Sequence, residues 1–248
     1  MHNFDLKAPS LRIGILGGTG NMGRGLAIRW ALKHDVLMGS RSSDRASEIA
    51  KEQENIARGF YQAEMKGSIK GKYNTDAARN SEIIVMALPP AAVIKATIAL
   101  RTCLQPNQIL ISTVVSMKKS KGLFIHTPIP NENTKRYQGK SAAEVIQRIV
   151  KTTPVVSAFQ TVPATYLNKV DSVMNIDVLI AGNDAHALTL TSKLIEDIPN
   201  LRPLRVGPLV NSKLIESLTP LLLNAAILNK LQEPSIRIVP WMPKSFEE

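Results

Sequence analysis

I-G-I-L-G-G-T-G-N-M-G-R-G, residues 13–25, is the stretch from which the rest of the chain can be read. An apolar run at 11–16 meets a glycine cluster, and a helical pattern follows at once. Within the cluster, Gly18-x-Gly20-x-x-Gly23 has the spacing of the dinucleotide fingerprint. Each glycine meets a mechanical demand: Gly18 makes the tight strand-to-helix turn, Gly20 lets backbone approach a pyrophosphate, and Gly23 lets the helix lie close on the strand. The free N–H groups that open the helix from Asn21 form an anion site. Gly18, Thr19, Gly20, Asn21, Met22 and Gly23 are therefore the candidate pyrophosphate cradle. A glycine turn that binds nothing is the plainer alternative. Strand and helix falling in register on either side favour the dinucleotide.

A second strand is expected at 35–40. An acid that binds the ribose 2′-hydroxyl belongs about 20 residues past the glycines. That place holds Gly39, followed by Ser40-Arg41-Ser-Ser-Asp-Arg45. A missing acid beside arginines suits a 2′-phosphate, which a carboxylate repels and a guanidinium grips with a fork of donors. Arginines merely solvated at a helix start are the alternative. Their position favours NADP over NAD.

Strand and helix then alternate. A helix is expected at 44–58, a basic, hairpin-like stretch supplying strand three at 66–73, and a buried strand at 81–88 that stops at Leu88 and Pro89. That stop is the carboxyl edge of the sheet, where ligands of such folds sit. A helix at 91–103, a strand at 108–112, a long polar loop at 114–140, a helix at 141–150 and a strand at 154–159 follow. The pattern predicts an α/β fold, a Rossmann doubly wound parallel sheet with a small C-terminal domain, divided as 1–160 and 161–248. The second part reads as strand 177–181, helix 185–195, strand 204–206 and an apolar helix at 211–231, kinked or restarted at Pro220. Its polar members Lys213, Glu216, Ser217 and Thr219 can share a cleft against the nucleotide domain.

Composition removes several function classes. Apolar residues make up 44% of the chain, ample for an aliphatic core, while no run reaches the roughly 18 residues of a membrane span. His2, His34, His126 and His186 stand too far apart for metal-ligand spacing, and a single cysteine, Cys103, excludes an internal disulfide. The first ten residues carry no signal-peptide core, so a cytoplasmic protein is expected. The net charge of +11 raises the question of nucleic acid. The bases are scattered, aromatics are only 4%, and no nucleic-acid motif is present, so no such partner is expected. Multiply charged small ligands account for the excess better.

Four segments carry a family resemblance: G-G-T-G-N-M-G-R-G-L-A, G-S-R at 39–41, S-A-F-Q-T-V-P-A at 157–164 and G-P-L-V-N-S-K-L-I-E-S-L-T-P at 207–220. Together the chain resembles the F-420-dependent NADP reductases over about 11–239. The resemblance implies direct hydride transfer between NADP(H) and a deazaflavin, coenzyme F-420 (F420), in a cleft between the two domains of a homodimer. It puts the 2′-phosphate grip on Ser40, Arg41 and Arg45, and the deazaflavin side on Gln160, Lys213, Ser217 and Thr219. No acid–base residue is implied, and Gln160 is expected to position the ring by donating and accepting hydrogen bonds. Against the family pattern, Arg45 stands for a lysine, Gln160 for a histidine and Lys213 for an arginine, and 114–140 is longer. Cytosolic domains of membrane metalloreductases share the pattern with a small amide near 160. An NADPH-dependent flavin or ferric-type reductase is thus the second reading, and a non-catalytic NADP(H) sensor the third.

Overall fold

The apolar run at 11–16 becomes β1 (Arg12–Leu16), and the glycines lead into α1 (Asn21–Trp30). The computed structural model describes residues 10–129, 137 and 139–239. Next come β2 (Asp35–Ser40), α2 (Ser43–Tyr61), β3 (Ser68–Tyr73), α3 (Asn74–Arg79), β4 (Ile83–Met86), α4 (Val93–Leu100) and β5 (Ile109–Ser112). A hairpin, β6 (Met117–Ser120) and β7 (Leu123–His126), precedes α5 (Ala142–Val150) and β8 (Val155–Ser157). The chain continues through α6 (Ala164–Asn168), β9 (Ile176–Gly182), α7 (Ala185–Glu196), β10 (Leu201–Arg205) and α8 (Ser212–Asn229).

Eight strands form one sheet in the order β10-β9-β8-β5-β4-β1-β2-β3, every pairing parallel except β8 with β9. From β3 to β8 this is the doubly wound order, which reverses between β1 and β4 and opens a crevice at the strands' carboxyl ends. The central strands β1, β4 and β5 are apolar on both faces because helices cover both. Ile13, Ile15, Ile83 and Val85 face one core and Leu16, Ile84 and Met86 the other. Trp30, fully buried, meets Phe159 edge to face at 5.7 Å and donates its indole N–H to Leu194 O. That contact locks α1, α7 and the end of β8 together.

Several expectations shift. Residues 66–73 form no hairpin; β3 lies parallel to β2 throughout. Part of 114–140 is ordered as β6–β7, whose two turn residues, Lys121 and Gly122, both have positive φ, as a tight hairpin requires. Residues 130–136 and 138 of that stretch lie outside the described residues. So short a hairpin is marginal alone. Here the Asn224 amide on α8 bonds both the N–H and the C=O of Phe124, as a neighbouring strand would. Helix α8 runs unbroken through Pro220. The last strand lies at 201–205, earlier than expected, and two short helices, α3 and α6, carry no periodicity long enough to see.

The segment after α8 is anchored on β9. Asp177, fully buried, accepts two hydrogen bonds from Arg202 at 2.7 and 2.6 Å and one from the Ile238 N–H, with Arg237 at 3.4 Å. Burial raises its carboxyl pKa. The hydrogen bonds from Arg202 and Ile238, with the two arginine charges, outweigh that and hold it below the ordinary aspartate value.

Candidate active site

The glycine loop sits at the switch point, at the end of β1. Its left-handed residue is Gly17 (φ 73°), not Gly18, because β1 ends at Leu16 and the chain turns at the next residue. Gly18 N–H is shared between Ile15 O and Gly39 O, and Gly20 N–H goes to Gly17 O. A Cβ at Gly23 would stand 2.5 Å from Gly18 Cα, so the helix is seated directly on the loop. At Gly20, the N-cap, a Cβ would meet only Gly17 O, at 3.3 Å. Among the described residues the space in front of Gly20 is open, no side chain caps α1, and its first turn holds no acid. The first-turn N–H groups of Asn21, Met22 and Gly23 have no i−4 carbonyl to meet, so they suit an anion. Arg24 braces the loop from behind through Thr19 O, and Asn168 through Asn21 O.

At the end of β2, Ser40 is half-buried and Arg41 and Arg45 are exposed. Neither guanidinium has a hydrogen-bond or ion-pair partner among the described residues. Ser42 caps α2 by accepting from Arg45 N–H, which places both arginines around the first turn of α2. Gly39 has no room for a side chain: a Cβ there would lie 2.6 Å from Asn74 Oδ1 and 3.0 Å from Ile15 O. Ser40 is thus the first position at that edge with room for one. Leu88, half-buried after β4, puts Cδ2 within 2.9 Å of a Cβ built on Gly17, and Pro89 beside it is exposed. Leu88 therefore joins the loop, as expected of that edge.

Past β8 the chain bends sharply. β8 stops at Ser157 rather than at 159, because Phe159 takes a left-handed conformation (φ 72°). Gln160 follows, and with Thr161, Val162, Tyr166, Thr219 and Leu223 it lines a cleft of about 510 Å³ between the 160–169 segment and α8. Arg29, buried in α1, holds that segment by donating to the carbonyls of Tyr166, Leu167 and Lys169. Burial lowers its pKa, opposed by Tyr61 and Asp171.

Gln160 does not behave as the sequence suggests. Its Nε2 donates to Ser112 O and to Ser157 Oγ, each at 2.8 Å, which uses both amide hydrogens. Since Ser112 O can only accept, the amide orientation is fixed. Oε1 remains, buried and without a partner among the described residues, as does Ser112 Oγ. Toward a ligand Gln160 can accept but not donate. Thr219 Oγ1 bonds the Gln160 carbonyl, so these two expected residues are brought together. Lys213 is exposed on α8, and Ser217 turns its hydroxyl back to Lys213 O; both lie outside the cleft lining. Glu216 is no cleft residue. It is 1% exposed and accepts from Ala142 and Ala143 N–H, capping α5, with His126 Nε2 at 3.9 Å. Among the described residues no cluster of three metal-ligating side chains occurs.

Residues 12–116 match the family model described as NADP oxidoreductase coenzyme F420-dependent. The chain is 32% identical over 233 residues to the F420-dependent NADP reductase of Methanocaldococcus jannaschii, covering 92% of this chain and 98% of that protein. It is 31% identical to the enzyme of the same name from Methanothermobacter thermautotrophicus, covering 94% and 97%. Among solved structures, a putative F420-dependent NADP reductase from Arthrobacter sp. FB24 superposes with a TM-score of 0.72 at 23% identity, over 92% of this chain and 99% of that one. A pyrroline-5-carboxylate reductase from Coxiella burnetii, at 14% identity and a TM-score of 0.56 over 91% and 73%, shares the fold.

Proposed function

Because the chain belongs to the F420-dependent NADP reductase family, we propose that it passes a hydride directly between NADP(H) and coenzyme F420 along the carboxyl edge of its sheet. The observation that carries this is the loop at Gly20: open space, N–H groups with no partner and two arginines with no partner, all among the described residues. In this reading Gly18, Thr19, Gly20, Asn21, Met22 and Gly23 cradle the pyrophosphate, and Ser40, Arg41 and Arg45 hold the 2′-phosphate. Leu88 and Pro89 wall the nucleotide at the end of β4. Gln160 and Thr219 form the ring side of the cleft, with Lys213 and Ser217 toward the acidic tail of the deazaflavin. The nicotinamide and deazaflavin rings themselves supply the hydride chemistry, so the protein's work is to align them and exclude water.

The domain division at 160 then has a functional sense: the first part binds NADP, and α8 with its neighbours closes the deazaflavin cleft. The protein works as a cytoplasmic homodimer. Leu214, Leu221 and Leu228 recur every seven residues along α8 and are each more than 60% exposed. A second α8 is the occupant that matches such a seam. Leu221→Glu with Leu228→Glu should shift the sedimenting mass to a monomer; an unchanged mass removes this interface.

Mixing the protein with NADPH and oxidised F420, with riboflavin phosphate in a parallel sample, tests the activity. Bleaching of the deazaflavin supports the reductase. Turnover of the flavin alone assigns a flavin reductase instead, and NADPH binding without turnover a sensor.

A further inference from the structure

We propose that Asn74, at the junction of β3 and α3, is the positioning residue that holds the glycine loop in its nucleotide-binding shape. Gly17 is the first residue beyond β1, and its N–H has left the strand ladder. Asn74 Oδ1 accepts that N–H at 3.1 Å, from 57 residues further along the chain. The same oxygen fills the place of a side chain at Gly39, 2.6 Å from where its Cβ would be. One amide oxygen thus stands between the ends of β1 and β2, where the pyrophosphate and 2′-phosphate sites meet. Of the loop's other N–H groups, Gly18 and Gly20 are tied within the loop and its strands. Those of Thr19 and the first turn of α1 are the ones left for a ligand, and their aim depends on where Gly17 is fixed. Because a backbone N–H can only donate, Oδ1 is the atom facing Gly17 and the Asn74 amide has one possible orientation. Asparagine meets the need without charge; a carboxylate in the same place would hold the loop yet repel the phosphates.

The inference rests on the loop being the NADP site, and the test separates the two. NADPH dissociation constants are measured for the wild type, Asn74→Ala, Asn74→Asp and Gly20→Val, at low and high salt, beside melting temperatures. Asn74→Ala should weaken NADPH about fivefold or more at either salt, the worth of one hydrogen bond. Its KM for NADPH should rise in step while the KM for the deazaflavin stays. Asn74→Asp keeps the acceptor, so it should melt as the wild type does, bind NADPH weakly at low salt, and regain affinity relative to the wild type as salt rises and part of the charge is screened. A folded Asn74→Ala protein that binds like the wild type overturns the proposal, and so does an Asn74→Asp protein as weak as Asn74→Ala at high salt. If Asn74→Ala fails to fold, the Asn74→Asp comparison with the wild type decides. Normal NADPH binding by Gly20→Val removes the loop site itself, and Asn74 with it. Lost binding there with normal binding in Asn74→Ala removes only the role of Asn74.

Discussion

Thr219 Oγ1 donates a 2.8 Å hydrogen bond to the backbone carbonyl of Gln160, 59 residues before it. This contact ties α8 to the segment just past the end of β8. It also brings together two segments far apart in sequence, 157–164 and 207–220.

The proposed function gives NADP selectivity to Arg41 and Arg45, whose guanidinium groups have no partner among the described residues. Replacing both with alanine removes charge-assisted hydrogen bonds to the 2′-phosphate. NADPH affinity should fall about tenfold or more, while NADH affinity barely changes. Equal losses for the two nucleotides would sink the assignment, and titration of cofactor fluorescence measures both.

The doubly wound order is legible because its central strands β1, β4 and β5 are short apolar runs set between turn signals, and 13–25 marks the switch from strand to helix, while the basic β3 (S-I-K-G-K-Y) reads as a hairpin. What stayed hidden depends on contacts across the fold. Asn74 sits in an unremarkable N-T-D, and only the end of β1, 57 residues away, reveals its task. The amide hydrogens of Gln160 look available until Ser112 and Ser157 come beside them. The hairpin β6–β7 is hidden because Lys118 and Lys119, adjacent in β6, break the apolar alternation that marks a strand. Its stability comes from Asn224, an α8 residue that no local window includes. Glu216 looked like a cleft residue because it stands in the 207–220 motif; its helix turns it instead toward the start of α5.

Lys213 is exposed and stands off the cleft, so its reach suits the acidic tail of the deazaflavin better than the ring. Lys213→Ala should raise the KM for the deazaflavin and flatten its dependence on salt, because a point charge acts through a screened field. The KM for NADPH should not follow. Kinetics unchanged at both low and high salt would leave Lys213 as a solvated surface residue.

Acid stability should report on Asp177. Its folded pKa lies below the ordinary aspartate value, so the unfolded chain binds the proton more readily. The carboxylate therefore contributes stability that is fully present above the unfolded pKa. That contribution is lost as pH falls through the depressed folded value. Asp177→Asn should cost roughly 3 kcal/mol at neutral pH, as breaking a buried pair does, and flatten the acid limb of a melting-temperature profile. An unchanged acid limb would place the pH sensitivity elsewhere.

Gln160 yields the sharpest test because its side chain has one atom left to offer. Both amide hydrogens are spent within the protein, and Oε1 is a buried acceptor without a partner among the described residues, on a residue that lines the cleft. A buried acceptor without a partner is costly, so a ligand N–H that reaches it recovers about one hydrogen bond, ~1 kcal/mol. Gln160→Ala should accordingly lower turnover about fivefold beyond any change in the folded fraction. Ser157→Ala removes one of the two restraints but leaves Ser112 O to orient the amide, so it should cost much less. Gln160→His should introduce a pH dependence near neutrality that the natural protein lacks, since imidazole titrates there and an amide does not. If Gln160→Ala only lowers the melting temperature, and the folded protein turns over as the wild type does, then Gln160 merely ties the end of β8 to β5 and its part in the reaction is excluded.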